Sequence, residues 1–296
     1  MRPQQLIRGA VIAAALFVAN ACSAAAAPTT VAALGDIACQ PGKAPTASTC
    51  RHGSVAKQVA RTRPDSVWLL GDLQYPHGVL ADFQQSFQPA LGRFRRIWRP
   101  TPGNHEYFTT DAAGYFDYFG NSAGPGRRGY YSFDVGRWHV VSLNSNCALV
   151  GCDAQSAQAK WLKADLARRA RRCTAAIWHH PLFSSGEHGD NITMRPLWRI
   201  LQAHKTEFVA SGHDHDFEVF RRQDATGRYS QDGIRQFVSG VGGKDTRPFA
   251  SHGPNSQLRR TNIFGFLSLR LGDRSYRWSL IDETGARRAG GGDRCR

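Results

Sequence analysis

Short apolar runs recur along the chain, separated by stretches whose apolar residues fall at helical spacing. Val31–Leu34, Ser66–Leu70, Ile97–Arg99, Tyr130–Asp134, Trp138–Leu143, Ala175–Trp178 and Phe208–Ala210 read as strands. Ser54–Arg61, Asp82–Arg93, Gln155–Arg171 and Arg195–Ala203 read as helices; Ala157, Trp161, Leu162 and Leu166 share one face. From Glu218 the pattern is mostly strand, at Glu218–Arg222, Ile234–Ser239, Gly265–Leu271 and Ser275–Asp282, with a hairpin signal at Gly272-Asp273. Long loops are expected at Pro76–Leu80, Asn121–Gly129, Ser184–Ile192 and Gly242–Asn262, and loops of that length are often functional. Strands feeding one cluster of loops predict an α/β fold, two stacked mixed sheets flanked by helices.

The chain has 296 residues and 41% hydrophobic content, enough for a large core. Residues 1–27 have the order of a secretory signal: Arg2 and Arg8, an apolar run from Ala10 to Ala19, then small residues to Ala27. The run is too short for a membrane span, so a secreted or periplasmic protein is expected, cleaved after Ala25 or Ala26. Cys22 leaves a lipoprotein as the alternative. Residues 28–284 form the expected catalytic domain, and 285–296 a Gly- and Arg-rich tail, mobile unless Cys295 is tied down. Of seven cysteines, six remain after Cys22 leaves, and an even number in an exported chain implies disulfides. Short loops suggest Cys39–Cys50 and Cys147–Cys152, which leaves Cys173–Cys295.

The net charge is +15, a field that attracts anions. The Arg168–Arg172 cluster is best read as a solvated helix end, where cations oppose the helix dipole. No aromatic interleaving accompanies the basic clusters, so no specific nucleic-acid partner is expected. The oligomeric state is not legible.

The chemistry gathers where apolar runs end. Val31–Leu34 leads to Gly35-Asp36, and Val67–Leu70 to Gly71-Asp72-Leu73-Gln74-Tyr75. Gly103-Asn104-His105-Glu106 follows the third run, Ile177-Trp178 leads to His179-His180-Pro181, and Phe208–Ala210 to Gly212-His213-Asp214-His215. Carboxyl ends of strands are where α/β sheets collect ligands. Asp72 has two oxygens with which to bridge two cations. Tyr75 offers a phenolate, and a phenol of ordinary pKa about 10 needs a strong Lewis acid to ionise at neutral pH; Fe3+ suits it. Alternate residues of an extended segment face one way, so His213 and His215 reach two ions while Asp214 points away and orients the loop.

These blocks resemble those of calcineurin-like metallophosphoesterases, and Tyr75, with Ala38 at the usual histidine place, is similar to the purple acid phosphatase branch. The resemblance spans about residues 30 to 282 and implies a four-layer α/β/β/α sandwich. It implies two metal ions: Fe3+ on Asp36, Tyr75 and His215, and divalent Fe, Zn or Mn on Asn104, His179 and His213, with Asp72 bridging. His105 would face substrate as general acid to the leaving oxygen. His180 would be a neighbouring or substrate-facing residue. Two departures stand out: Ala176 for a usual Val, and Ala38 for a usual Gly, which leaves less room beside the metal. The expected activity is hydrolysis of phosphate monoesters, small anionic substrates, through a metal-bound hydroxide. The alternatives are a phosphodiesterase acting on nucleotides or phospholipids, with the loops at 121–129 and 242–262 deciding access, and an inactive phosphate-binding exported protein. Binding to polyanions is a further reading, with steep salt dependence.

Overall fold

The computed structural model describes Met1, residues 27–168 and residues 173–296. The expected signal segment to Ala26, Cys22, and residues 169–172 of the arginine cluster lie outside the described residues. Two mixed sheets stack face to face. The first contains β1 (Thr29–Leu34), β2 (Ser66–Leu70), β3 (Trp98–Thr101), β11 (Gly265–Leu271), β12 (Ser275–Asp282) and β13 (Arg287–Arg294), in the order β13-β12-β11-β1-β2-β3. The second contains β4 (Tyr131–Val135), β5 (Trp138–Ser142), β6 (Cys173–Ile177), β7 (Phe208–Ser211), β8 (Phe217–Phe220), β9 (Arg235–Ser239) and β10 (Ser256–Arg260), in the order β10-β8-β9-β7-β6-β5-β4. β1, β2 and β3 run parallel, as do β5, β6, β7 and β9.

Three apolar layers follow from the period of two along each strand. In β2, Trp68 and Leu70 enter the core between the sheets, while Val67 and Leu69 face the helical side. In β6, Ala175 and Ile177 join the central core and Ala176 the opposite helical layer. A strand buried on both faces needs an almost continuous apolar run, which is why these strands were readable. Helices His52–Thr62 and Ala113–Phe119 cover the first sheet, and Ala157–Arg168 and Arg195–Ala203 cover the second.

The structure departs from the sequence reading at the margins. The helix expected at Asp82–Arg93 is a broken series of turns over residues 80–94, with a π-type turn at Phe83–Phe87 just before Pro89. Proline lacks the N–H for the next helical bond and crowds the preceding turn. β10 and β13 are edge strands that the pattern did not predict. Their sequences, Ser-Gln-Leu-Arg-Arg and Arg-Arg-Ala-Gly-Gly-Gly-Asp-Arg, carry the charges with which edges resist further pairing. Thus most of the Gly- and Arg-rich tail is paired with β12, and Cys295 is bonded to Cys173. Cys39–Cys50 and Cys147–Cys152 are the other disulfides. No helix among the described residues is long and apolar enough to cross a membrane.

The Cys173–Cys295 bond closes a 122-residue separation and joins the two sheets. Replacing both cysteines by serine is expected to lower unfolding stability by about 3–5 kcal/mol, read from the urea midpoint at constant slope.

Candidate metal centre

Five strands deliver the site. Asp36 lies just past β1, Asp72 and Tyr75 past β2, Asn104 and His105 past β3, His179 past β6, and His213 and His215 past β7. The carboxyl edges of the two sheets meet here: Gly35 N–H donates to the Ser239 carbonyl at 3.0 Å, and Gly242 N–H to the Gly35 carbonyl at 2.9 Å. Asp36, Asp72 and His213 adopt left-handed backbone, with φ of 60°, 50° and 75°. Such strained residues cost energy and cluster at functional sites. Gly103 lets the loops approach: a Cβ there would stand 2.1 Å from Asp72 Oδ1.

Tyr75 Oη lies 2.9 Å from Asp36 Oδ1, 3.1 Å from Asp72 Oδ2 and 3.0 Å from His215 Nε2. One hydroxyl proton cannot serve two carboxylates, and both carboxylates are buried. Buried charges need pairing or a metal. His215 Nδ1 is bonded to Asp245, so on loss of the Nε2 proton that nitrogen would present its lone pair to the same point. Burial, then the charges of Asp36 and Asp72, push the Tyr75 phenol well above its ordinary pKa. Ionising it therefore requires a strong positive charge. Burial lowers the His215 pKa, but Asp36 and Asp245 outweigh it and lift it to about 9.

The second donor set is built likewise. His179 Nδ1 donates to the Leu70 carbonyl at 2.9 Å. Its Nε2 lies 3.1 Å from Asn104 Oδ1, 3.2 Å from Asp72 Oδ2 and 3.2 Å from His213 Nδ1. Burial, then the neighbouring His179 and His180, hold His213 neutral, far below the usual histidine range. Burial opposes ionisation of His179, but Asp72 and Asp36 lift its pKa to about 9. The field that favours imidazolium here is the field a cation would enter. Asp72 is the shared member, in a way the sequence did not suggest. Its Oδ2 alone faces both sets, because Oδ1 accepts the His105 N–H at 2.9 Å. Both sets suit a borderline or hard cation.

His105 Nδ1 lies 2.6 Å from the Pro76 carbonyl, and its Nε2 faces the centre, 3.8 Å from Asp72 Oδ2. His180 sits beside His179 and His213. Its backbone N–H donates to Ser145 Oγ at 2.9 Å, and its ring Nδ1 shares a hydrogen bond with the same hydroxyl at 2.8 Å. Burial, then His179, depress the His180 pKa to about 3. The ring is thus neutral rather than an acid. Ala38 is buried, and its carbonyl accepts the Tyr75 N–H at 2.8 Å.

Four supporting residues had no role in the sequence reading. Glu106 is fully buried and accepts backbone N–H from Gly103 at 2.7 Å, Leu73 at 2.8 Å and Asp72 at 2.9 Å. Asp245 orients His215, and the Lys244 ammonium lies 5.1 Å from the Tyr75 ring centroid. His188 has its ring centroid 4.1 Å from that of His213 and its Nδ1 2.8 Å from Asp214. Asp214 is turned away from the centre and also takes the Ser184 hydroxyl. Only Glu106 stood inside a recognised motif; His188 lies mid-loop, where one histidine carries no signal.

The calcineurin-like phosphoesterase family profile matches residues 29–217, and the chain belongs to that family. Within it, the relatives are purple acid phosphatases. Purple acid phosphatase 22 of Arabidopsis thaliana is 31% identical over 179 residues, covering 53% of this chain and 39% of the relative. Purple acid phosphatase 18 of the same plant is 28% identical over 267 residues, covering 82% and 57%. The chain thus matches well under two thirds of these relatives' length. The fold matches a purple acid phosphatase from yellow lupin (Lupinus luteus) seeds with a TM-score of 0.76 at 17% identity, covering 89% of this chain and 53% of that one. It also matches GAP50, described as the anchor in the inner membrane complex of Plasmodium, with a TM-score of 0.66 at 14% identity, covering 92% and 90%.

Glu106→Gln removes a charged acceptor from several backbone donors. The expected loss is about 3 kcal/mol of stability, with reduced bound metal, read by denaturant unfolding and elemental analysis.

Proposed function

We propose that this chain is an exported, acid-phosphatase-like phosphomonoesterase working with two metal ions. The observation that carries the reading is Asp72 Oδ2, shared by two sets of buried donors, one of which contains Tyr75. Asp36, Asp72, Tyr75 and His215 would hold Fe3+; Asp72, Asn104, His179 and His213 would hold divalent Fe, Zn or Mn. The bound ions supply an activated nucleophile at neutral pH and stabilise charge on the phosphoryl group. The Leu70 carbonyl and Asp245 fix the ligand imidazoles, so little reorganisation accompanies binding. The Pro76 carbonyl holds the His105 ring with Nε2 toward the centre, where its proton passes to the departing oxygen. His180, neutral and braced by Ser145, would present an Nε2–H to a phosphoryl oxygen in the tautomer whose Nδ1 accepts the Ser145 hydroxyl. The basic charge favours anionic substrates, and three disulfides support an oxidising compartment.

Metal-loaded protein is expected to hydrolyse p-nitrophenyl phosphate well above bis(p-nitrophenyl) phosphate, with Asp72→Asn lowering kcat by at least about 100-fold. Diester preference would give the phosphodiesterase instead, and metal binding without turnover the phosphate-binding protein. For the ferric site, a visible charge-transfer band lost in Tyr75→Phe is expected. A colourless, iron-free, fully active enzyme would sink that assignment.

A further inference from the structure

Beyond His105 lies an exposed aromatic side chain. Among the described residues Phe108 is the one exposed phenylalanine, with 58% of its surface accessible. Its ring centroid lies 4.8 Å from that of His105, at an interplanar angle of 74°, and 5.6 Å from that of His77, at 68°. On its other side His105 meets the Tyr75 ring, centroid to centroid 4.2 Å. The rings therefore run outward from the donor cluster: Tyr75, His105, Phe108, His77. Val79, 39% accessible, stands on the same loop as His77. That loop is fixed against the His105 turn, since a Cβ at Gly78 would stand 2.8 Å from Glu106 Cα and 3.1 Å from the His105 carbonyl oxygen.

An exposed aromatic side chain forgoes the burial that stabilises the other phenylalanines. Here it borders the ring of His105, whose Nε2 is assigned to the leaving oxygen. Whatever is attached to that oxygen must lie alongside His105. We propose that His77, Val79 and Phe108 form a subsite for a flat, apolar leaving group, so that aryl phosphate esters are preferred over esters of polar alcohols. Edge-to-face packing of the kind His105 and His77 make with Phe108 extends to a further aromatic ring. The proposal rests on the phosphomonoesterase reading and adds the substrate class.

The test measures binding and turnover separately. Calorimetry on metal-loaded protein compares phenylphosphonate with methylphosphonate, and kinetics compare phenyl phosphate with glycerol phosphate. Comparing each ratio between the variant and the wild type cancels the leaving groups' differing reactivity. In Phe108→Ala the phenyl-to-methyl affinity ratio and the phenyl-to-glycerol kcat/KM ratio are each expected to fall about five- to tenfold. Phe108→Tyr, which keeps the ring, is expected to restore both. An affinity ratio unchanged in Phe108→Ala overturns the subsite, whether or not turnover is seen. Absent turnover with the affinity ratio still falling would overturn the hydrolase reading and leave the aromatic subsite standing.

Discussion

One buried carboxylate sets the geometry on which the site depends. Glu106 accepts the N–H groups of Gly103, Asp72 and Leu73, and so ties the loop after β2 to the loop after β3. Those loops carry Asp72, Tyr75, Asn104 and His105. Without that acceptor, several buried backbone donors would lack partners. Burial and the Asp72 charge push the Glu106 pKa up to about 7, while the Gly103 and Leu73 N–H groups pull against them. The backbone donors are thus both what Glu106 organises and what restrains the rise of its pKa.

The rest of the centre is an arrangement of like groups. Asp36, Asp72, the Tyr75 oxygen and ring nitrogens of His179, His213 and His215 converge: the carboxylates oppose a charge on the Tyr75 oxygen and His179 opposes one on His213, while the same carboxylates draw protons onto His179 and His215. Neighbours keep each group aligned against that repulsion: Leu70 for His179, Asp245 for His215. The protein bears this cost within a sandwich whose inner strands are buried on both faces.

The same packing decides what could be read from sequence. β2 and β6 lie between two apolar layers, so their runs stood out, as did the polar residues ending them. β10 and β13 form sheet edges, where pairing with one neighbour suffices and no apolar face is required. The helix around Phe83 failed at Pro89, which the apolar spacing alone did not weigh. At the site, residues next to a strand end were legible because position and chemistry coincide there. His188 and Asp245 reach it through long loops, and which loop folds over the metals is a tertiary fact. The single-oxygen role of Asp72 depends on the His105 N–H, again invisible to spacing.

The Cys173–Cys295 bond gives the architecture a polarity. Cys173 opens β6, at the end of the sheet remote from His179, and Cys295 follows the outermost strand of the other sheet. The sandwich is therefore clasped at its base and gathered at its crown by the candidate metal ligands. Between these two fastenings, the segments bearing His77 and Phe108 are anchored at their roots and expose side chains at their tips. Loops held this way accept new side chains without disturbing either fastening, which makes the crown the place where one scaffold acquires different appetites.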